Sequence, residues 1–115
     1  MNFTEAVTSV FSKYAVFRGR ARRSEFWWFT LFNIAGSFVL GFLDSLLFGH
    51  EVLSALFALG TLIPVLAVTV RRLHDVDRSG WWILIGLVPL IGWIVLLVWY
   101  VREGTPGLNQ FGPAV

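Results

Sequence analysis

Three long apolar runs limit what this chain can fold into. They cover residues 26–48, 52–70 and 81–101, and Asp44 is the only charged residue within them. A helix needs about 20 apolar residues to cross a hydrocarbon core of ~30 Å, and each run has roughly that length. Core helices of soluble proteins are seldom so long without charge, so the pattern predicts three transmembrane helices.

The composition agrees with a membrane protein. Of the 115 residues, 57% are hydrophobic and 14% are charged, whereas a soluble domain is about half apolar and a quarter charged. The length fits one small domain, and we predict a single all-α integral membrane domain over residues 1–115. The chain has no cysteine, which excludes disulfides and thiolate chemistry.

A short amphipathic segment precedes the first run. Over residues 3–15, apolar side chains such as Phe3 and Val10 fall on one helical face. Asn2 followed by Glu5 resembles a capping box. The segment is too short to cross a bilayer, so we predict a helix that lies in the membrane interface. Packing against the protein's own spans is the alternative.

The basic residues predict the orientation. All Lys and Arg residues except Arg102 lie before the first run or between the second and third, and an excess of basic residues marks the cytoplasmic side. With three spans, the N-terminus is cytoplasmic, the loop at residues 49–51 is outside, and the tail at residues 102–115 is also outside.

The third run leaves one alternative open. Residues 89–92 contain a proline and a glycine, and they could form the tip of a re-entrant hairpin whose limbs reach half of the membrane depth. The tail would then lie in the cytoplasm beside Arg71, Arg72 and His74, where a composite ligand site could form.

Individual polar and aromatic residues predict depth in the membrane. Tryptophan prefers the headgroup level, so Trp81 and Trp82 are expected at the inner interface and Trp99 at the outer one. Asp44 lies near the outer end of the first run, and a carboxylate is costly at the bilayer centre. We therefore expect Asp44 to reach water.

Small and polar residues recur every four positions along the first run and share one helix face: Asn33, Ser37, Gly41 and Ser45. Such stripes allow helices to approach closely and to form hydrogen bonds across their interface in membranes. We predict that this stripe is the helix-packing face. Trp93 should lie at a similar depth and pack against Ser37 and Ala58.

Seven arginines should converge on the inner headgroup layer: Arg18, Arg20, Arg22, Arg23, Arg71, Arg72 and Arg78. Guanidinium groups bind phosphate through paired hydrogen bonds, so this cluster is the candidate site for a lipid headgroup or another anion. Glu25, His74 and Asp75 lie among the arginines, and a purely electrostatic anchor does not need acids. We predict a structural network that joins the two basic segments; the alternative is that the arginines only orient the chain.

His74 beside Asp75 suggests acid–base chemistry, but adjacent residues on a helix do not face each other. No serine-nucleophile pattern, metal-ligand spacing or glycine-rich phosphate loop accompanies the pair. We predict no catalytic residue, no metal and no cofactor. The tail at residues 104–113 is rich in turn-forming residues, and we expect it to dock Phe111 on the domain; a contact for a partner is the alternative.

Several motifs together resemble one family. They are Phe-Arg-Gly-Arg at 17–20, Arg-Arg-Leu-His-Asp at 71–75, Arg-Ser-Gly-Trp-Trp at 78–82, Pro-Leu-Ile-Gly at 89–92 and Asn-Gln-Phe-Gly-Pro at 109–113. This combination resembles the small bacterial inner-membrane proteins known as domain of unknown function 805, over nearly the whole chain. The resemblance implies a bacterial cytoplasmic membrane, a compact helical domain and no established activity. Gln110 departs from the family pattern, in which an arginine is common.

These observations predict a non-enzymatic, multi-pass inner-membrane protein. We expect it to bind anionic phospholipid headgroups, and also another membrane protein or a second copy of itself; we expect no nucleic-acid partner. One alternative is a subunit of an oligomeric transporter or channel, although the chain lacks the mid-membrane charge that usually marks an ion path. The other alternative is an enzyme that acts on a lipid phosphate with His74 and Asp75.

Overall fold

The computed structural model describes residues 1–113 of the chain. Its helices are α1 (Phe3–Ser12), α2 (Arg23–Leu47), α3 (Leu53–Asp75), a 3₁₀ helix (Gly80–Leu87) and α4 (Ile91–Val101). Regular structure within the described part is helical, as expected. The final two residues of the predicted domain and tail, 114–115, lie outside the described residues.

Helix α1 packs on the protein's own long helices. Asn2 and Glu5 form the expected capping box at its N-terminus, and Ala6 and Val10 are fully buried. Phe11 makes an edge contact with the ring of Phe29 on α2, with 5.5 Å between the centroids. The sequence left interfacial placement and packing on the spans as alternatives, and the buried face of α1 follows the second. The helix ends at Ser12 rather than at residue 15.

Helices α2 and α3 form the long hairpin at the centre of the fold. They contain 25 and 23 residues, or about 37 Å and 35 Å at ~1.5 Å per residue. Both are long and apolar enough to cross a membrane, with mean hydropathies of 1.6 and 2.2 in their most apolar stretches. The first two predicted runs, 26–48 and 52–70, therefore correspond to candidate spans.

A proline inside α3 is compensated by a residue in the loop after α1. Pro64 has no N–H to donate to the carbonyl of Gly60, four residues earlier in the helix. The hydroxyl of Tyr14 donates to that carbonyl instead, at 2.7 Å. This hydrogen bond accommodates the proline within α3. It also connects the end of the N-terminal segment to the middle of the helix.

The third apolar run does not form the expected single helix over residues 81–101. The 3₁₀ helix ends at Leu87, and α4 begins at Ile91. Pro89 cannot continue the helical hydrogen bonds, and Leu90 adopts a φ of 66°. Each limb is about 16 Å long, so neither can cross a bilayer. The described residues therefore contain two candidate spans, and a third transmembrane helix is not confirmed.

The two limbs fold back on each other as a tight hairpin. The N–H of Gly92 donates to the carbonyl of Val88 at 3.0 Å, and a Cβ atom at Gly92 would overlap the carbonyl of Ile85. Trp93 was expected to pack on Ser37 and Ala58. Its indole N–H instead donates to the carbonyl of Gly86 within the hairpin, at 2.9 Å.

The predicted small-residue stripe is divided between two surfaces. Asn33 accepts a hydrogen bond from the hydroxyl of Thr61 on α3 at 3.3 Å, and Gly41 lies close to Ser54 of α3. Ser37 and Ser45 are exposed.

Two predictions of depth are also wrong. Asp44 is 2% exposed, and its carboxylate accepts the N–H groups of Leu53 at 2.8 Å and Ser54 at 2.9 Å. It caps the N-terminus of α3 rather than pointing into water. Trp99 was expected at the outer interface and Trp82 at the inner one. Their ring centroids are 5.6 Å apart, so the two residues lie at the same level.

Candidate functional site: an arginine network at one end of the helices

Three arginines are almost completely buried where α2 begins and α3 ends. Arg20, Arg71 and Arg72 are 3%, 1% and 0% exposed. Burial of a charge is costly unless it is paired and hydrogen-bonded. The polar partners of these arginines therefore decide the local structure.

Arg71 joins three helices through one carboxylate. Its Nη1 donates to both oxygens of Glu25 on α2, at 3.2 Å and 3.1 Å. Ser9 of α1 donates its hydroxyl to the same carboxylate at 2.7 Å, and the Nε of Arg71 donates to the carbonyl of Val16 at 3.2 Å. One acid thus fixes α1, α2 and α3 relative to each other.

Asp75 binds the other two buried arginines. One carboxylate oxygen lies 2.9 Å from the Nε of Arg20, and the other lies 2.6 Å from the Nη1 of Arg72. Arg72 also donates to the carbonyls of Tyr100 and Arg102. The end of α4 is therefore held against the end of α3, at the same end of the molecule as the start of the 3₁₀ helix.

Arg20 binds the backbone of the C-terminal tail. Its Nη1 donates to the carbonyls of Gly107 at 2.7 Å and Gly112 at 3.1 Å, and its Nη2 donates to the carbonyl of Thr105. The N–H of Thr105 donates to the carbonyl of Asp75 at 2.7 Å. The tail was expected on the opposite side of the membrane from the arginines. In the structure it contacts Arg20, because the broken third run returns the chain to this end.

His74 is also fixed by the tail. Its Nδ1 lies 2.9 Å from the carbonyl of Gly19, and its ring stacks on Phe111 with 3.9 Å between centroids and a 2° angle. Asn109 donates its side-chain amide to the carbonyl of His74 at 3.0 Å. Phe111 docks on the domain as expected. The His74 ring and the Asp75 carboxylate face different partners.

The remaining arginines of the predicted cluster stay at the surface. Arg18, Arg22, Arg23 and Arg78 are exposed. The guanidinium of Arg78 lies over the ring of Trp99, 5.2 Å from its centroid, and Arg23 is 3.8 Å from the exposed carboxylate of Glu103. The structure thus separates the seven predicted arginines into three buried residues with protein partners and four exposed ones.

Two shallow clefts lie among the exposed arginines and the tail. One, of about 380 Å³, is lined by Arg22, Arg23 and Glu103 with part of the tail. The other, of about 400 Å³, includes Arg78 and Arg102. Across residues 1–113, no three His, Asp or Glu side chains lie close enough together to hold a metal ion.

Sequence reasoning found the charged members of the network but missed most of their backbone partners. The carbonyls of Val16, Tyr100, Thr105 and Gly107 accept from the buried arginines. Backbone carbonyls have no residue signature, so the sequence gives no direct signal for them. The turn-rich tail was the one indication that a segment there adopts a fixed shape.

The fold and this network define a small, all-α membrane protein with two candidate spans and a C-terminal hairpin. The end of the hairpin is held by hydrogen bonds from the buried Arg72 to backbone carbonyls. The profile of the family described as "Protein of unknown function (DUF805)" matches residues 14–113, and the chain belongs to this family.

Two proteins of Escherichia coli (strain K12) are similar to nearly the whole chain. The chain is 48% identical over 109 residues to inner membrane protein YhaH, covering 90% of each chain. It is 50% identical over 106 residues to inner membrane protein YhaI, covering 90% of this chain and 89% of that one. The names of these relatives support a location in a bacterial inner membrane. No solved structure matches the chain.

Proposed function

We propose that this chain is a non-enzymatic inner-membrane protein that binds anionic phospholipid headgroups through its exposed arginines. The observation that carries the proposal is the division of the arginines. Arg20, Arg71 and Arg72 have internal partners, whereas Arg18, Arg22, Arg23, Arg78 and Arg102 are all exposed at the same end. The buried set holds the helices and the tail together. The exposed set makes only surface contacts, such as that of Arg23 with Glu103, and remains accessible to lipid phosphate.

The proposed topology has two spans and a re-entrant hairpin, with both termini in the cytoplasm. The hairpin limbs are too short to cross, and Arg72 holds the end of α4 beside α3. All nine Lys and Arg residues then lie on the side of the bilayer that basic residues favour. The outer surface is reduced to the short loop between α2 and α3.

This topology places the exposed arginines where they can meet headgroups. A basic residue near an anionic leaflet contributes about 1 kcal/mol to binding. Trp82 and Trp99 lie together beneath Arg78, and tryptophan rings favour the headgroup level. The shallow cleft that contains Arg22 and Arg23 has room for one phosphodiester between guanidinium groups.

A non-enzymatic role is supported by the way His74 and Asp75 are held. Each carboxylate oxygen of Asp75 contacts a buried arginine, so the acid is committed to charge pairing. The His74 ring contacts Gly19 and Phe111. Neither group is arranged to activate the other.

Lipid retention tests the proposal directly. The protein is embedded in nanodiscs of equal phosphatidylglycerol and phosphatidylcholine, and native mass spectrometry counts the lipids that remain bound on release. We expect phosphatidylglycerol to be retained preferentially, and Arg22→Gln with Arg78→Gln to weaken the preference. Glu51→Gln, in the loop between α2 and α3, is the control and should keep the preference for phosphatidylglycerol. Equal retention of the two lipids by the unaltered protein would overturn the proposal.

The topology has a separate test. A reporter that is active only in the cytoplasm is fused to the C-terminus, and the same reporter is inserted in the loop at residues 49–51. We expect activity from the first fusion and none from the second. Activity of a periplasmic reporter at the C-terminus would contradict two spans while leaving the lipid preference to be judged on its own measurement.

A further inference from the structure

A second cleft lies between α3 and the 3₁₀ helix, apart from the arginine surface. Its volume is about 460 Å³, which is within the usual range of roughly 300–1,000 Å³ for small-molecule sites. Its walls are mostly apolar and come from three parts of the chain, represented by Phe17, Val70 and Leu84. His74 and Ser79 are its polar residues, and Trp81 adds an indole N–H to an otherwise apolar wall.

His74 supplies a fixed hydrogen-bond acceptor to this cleft. A backbone carbonyl can only accept, so the contact with Gly19 at 2.9 Å requires a proton on Nδ1. In the neutral ring, Nε2 then carries a lone pair, and it has no hydrogen-bond partner among residues 1–113. The side chain is held in place because Phe111 covers one face of the ring and only 9% of the residue is exposed.

Ser79 supplies the complementary donor. Its Oγ accepts the N–H of Trp81 at 3.3 Å, which starts the 3₁₀ helix. The hydroxyl proton has no acceptor within the described part of the chain and is free to donate. One ligand hydroxyl could therefore donate to His74 and accept from Ser79. A phosphodiester anion has no proton to donate to His74, and an ammonium group has no lone pair to accept from Ser79.

The apolar part of the cleft opens to the surface that faces lipid in the topology proposed above, and this step rests on that topology. Trp81 and Leu84 line it and are 79% and 53% exposed. At the other wall the 3₁₀ helix touches α3, since a Cβ atom at Gly80 would lie 2.7 Å from a methyl group of Val70. A molecule dissolved in the bilayer could thus enter from the side with its polar end toward His74.

We propose that this cleft binds a neutral amphiphile with a hydroxyl group at its polar end and an apolar body. Two sources share this chemistry: a phenol with a hydrocarbon tail, and a diacylglycerol. The site does not depend on the exposed arginines, so it can be tested in a bilayer that holds no anionic lipid.

The imidazole nitrogen signals of His74 report on the site, since the only other histidine is His50 in the outer loop. The protein is labelled with ¹⁵N-histidine in phosphatidylcholine nanodiscs and titrated with octylphenol. We expect a saturable shift of the Nε2 signal of His74 and none for His50. Octylanisole, the methyl ether, has the same shape but no proton to donate. It should bind roughly threefold to tenfold more weakly, the ratio that one neutral hydrogen bond supplies.

A variant that fills the cleft separates binding from general partitioning. Replacing His74 would disturb the contacts with Gly19 and Phe111, so the change is made in the apolar wall instead. Leu84→Trp should abolish the saturable shift while the His74 signal stays at its native position. Leu97→Trp, on α4 and similarly exposed, is the control and should bind like the unaltered protein.

Dioctanoylglycerol is titrated in the same way to assign the source of the hydroxyl. Tighter binding of this molecule favours a glycerolipid, and tighter binding of octylphenol favours a phenol. Equal affinity for octylphenol and octylanisole would overturn the proposal. So would a linear, unsaturable shift, or binding by Leu84→Trp that matches the unaltered protein.

Discussion

The buried and exposed arginines occupy the same end of the molecule but differ in what surrounds them. Arg72 is fully buried and donates to Asp75 and to the backbone of the returning chain. Arg23 begins α2 a short distance away, and half of its side chain is exposed. The comparison shows that a charge-rich patch near a membrane surface can have two layers, an inner one that sets the fold and an outer one that meets the environment.

The physical difference between the layers is desolvation. A buried guanidinium loses its water and must recover the energy from acids and carbonyls, so removal of one partner leaves the other charge uncompensated. An exposed pair gains little because water and salt screen it. Substitutions in the inner layer should therefore change stability, and substitutions in the outer layer should change lipid binding.

The largest effect is expected for Asp75→Ala. This change leaves Arg20 and Arg72 buried without their shared acid, and breaking a buried pair costs about 3–5 kcal/mol. Urea unfolding in mild detergent, followed by circular dichroism, measures the loss. Glu103→Ala removes an exposed acid that lies 3.8 Å from Arg23, and it should cost less than ~1 kcal/mol. Equal losses for the two variants would remove the distinction between the layers.

The next effect is expected at the tip of the hairpin. Gly92→Ala would place a methyl group against the carbonyl of Ile85, and overpacking of this kind costs about 1–3 kcal/mol. If the tip opens, Tyr100 moves away from Arg72, so amide exchange near the end of α4 should accelerate in hydrogen-exchange mass spectrometry. Gly60→Ala is the matched control because nothing lies within 4 Å of the added atom. Unchanged exchange in Gly92→Ala would show that the inner layer does not depend on the tip.

This segment also shows how far the sequence could predict the fold. The two spans were predictable because their long apolar runs have the length of a bilayer crossing. The third run passes the same test, yet Leu90 adopts a positive φ and Pro89 lacks a donor. Hydropathy records neither effect. Pro89 indicated a break in the helix. The hydrogen bond from Arg72 to the carbonyl of Tyr100, which holds the chain folded back, is a tertiary contact that the sequence does not reveal.

The candidate site was also predictable only in part, because the sequence indicates charge pairing but not burial. Acids among arginines indicate pairing, and the structure brings Glu25 to Arg71 and Asp75 to Arg20. Burial could not be read from the sequence, since Arg20 and Arg22 are separated by one residue but have opposite exposure. Which arginine is buried follows from the loop before α2, where the N–H of Ala21 donates to the carbonyl of Arg71 at 3.0 Å.

The outer layer should respond to Arg78→Gln without loss of stability. The change removes one exposed charge, worth about 1 kcal/mol of attraction to an anionic leaflet. We expect a roughly fivefold weaker preference for phosphatidylglycerol over phosphatidylcholine in a lipid-competition measurement. The urea midpoint should stay within experimental error. A large drop in the midpoint would place Arg78 in the inner layer instead.

The smallest effect is expected from Phe111→Leu, and it probes how the two layers are joined. The ring of Phe111 stacks on His74, and an aromatic pair contributes about 0.5–1.5 kcal/mol beyond its buried area. Leucine keeps most of the apolar contact, so the tail should remain bound by Arg20, whose bonds are to backbone carbonyls. The His74 ring signals should shift in NMR because the ring current is lost, while the unfolding free energy falls by about 1 kcal/mol or less. Protease cleavage after residue 104 would show whether the tail is released. If this variant released the tail, the ring of Phe111 stacked on His74, rather than the guanidinium of Arg20, would hold the C-terminal tail. His74 would then belong to the inner layer in place of Arg20.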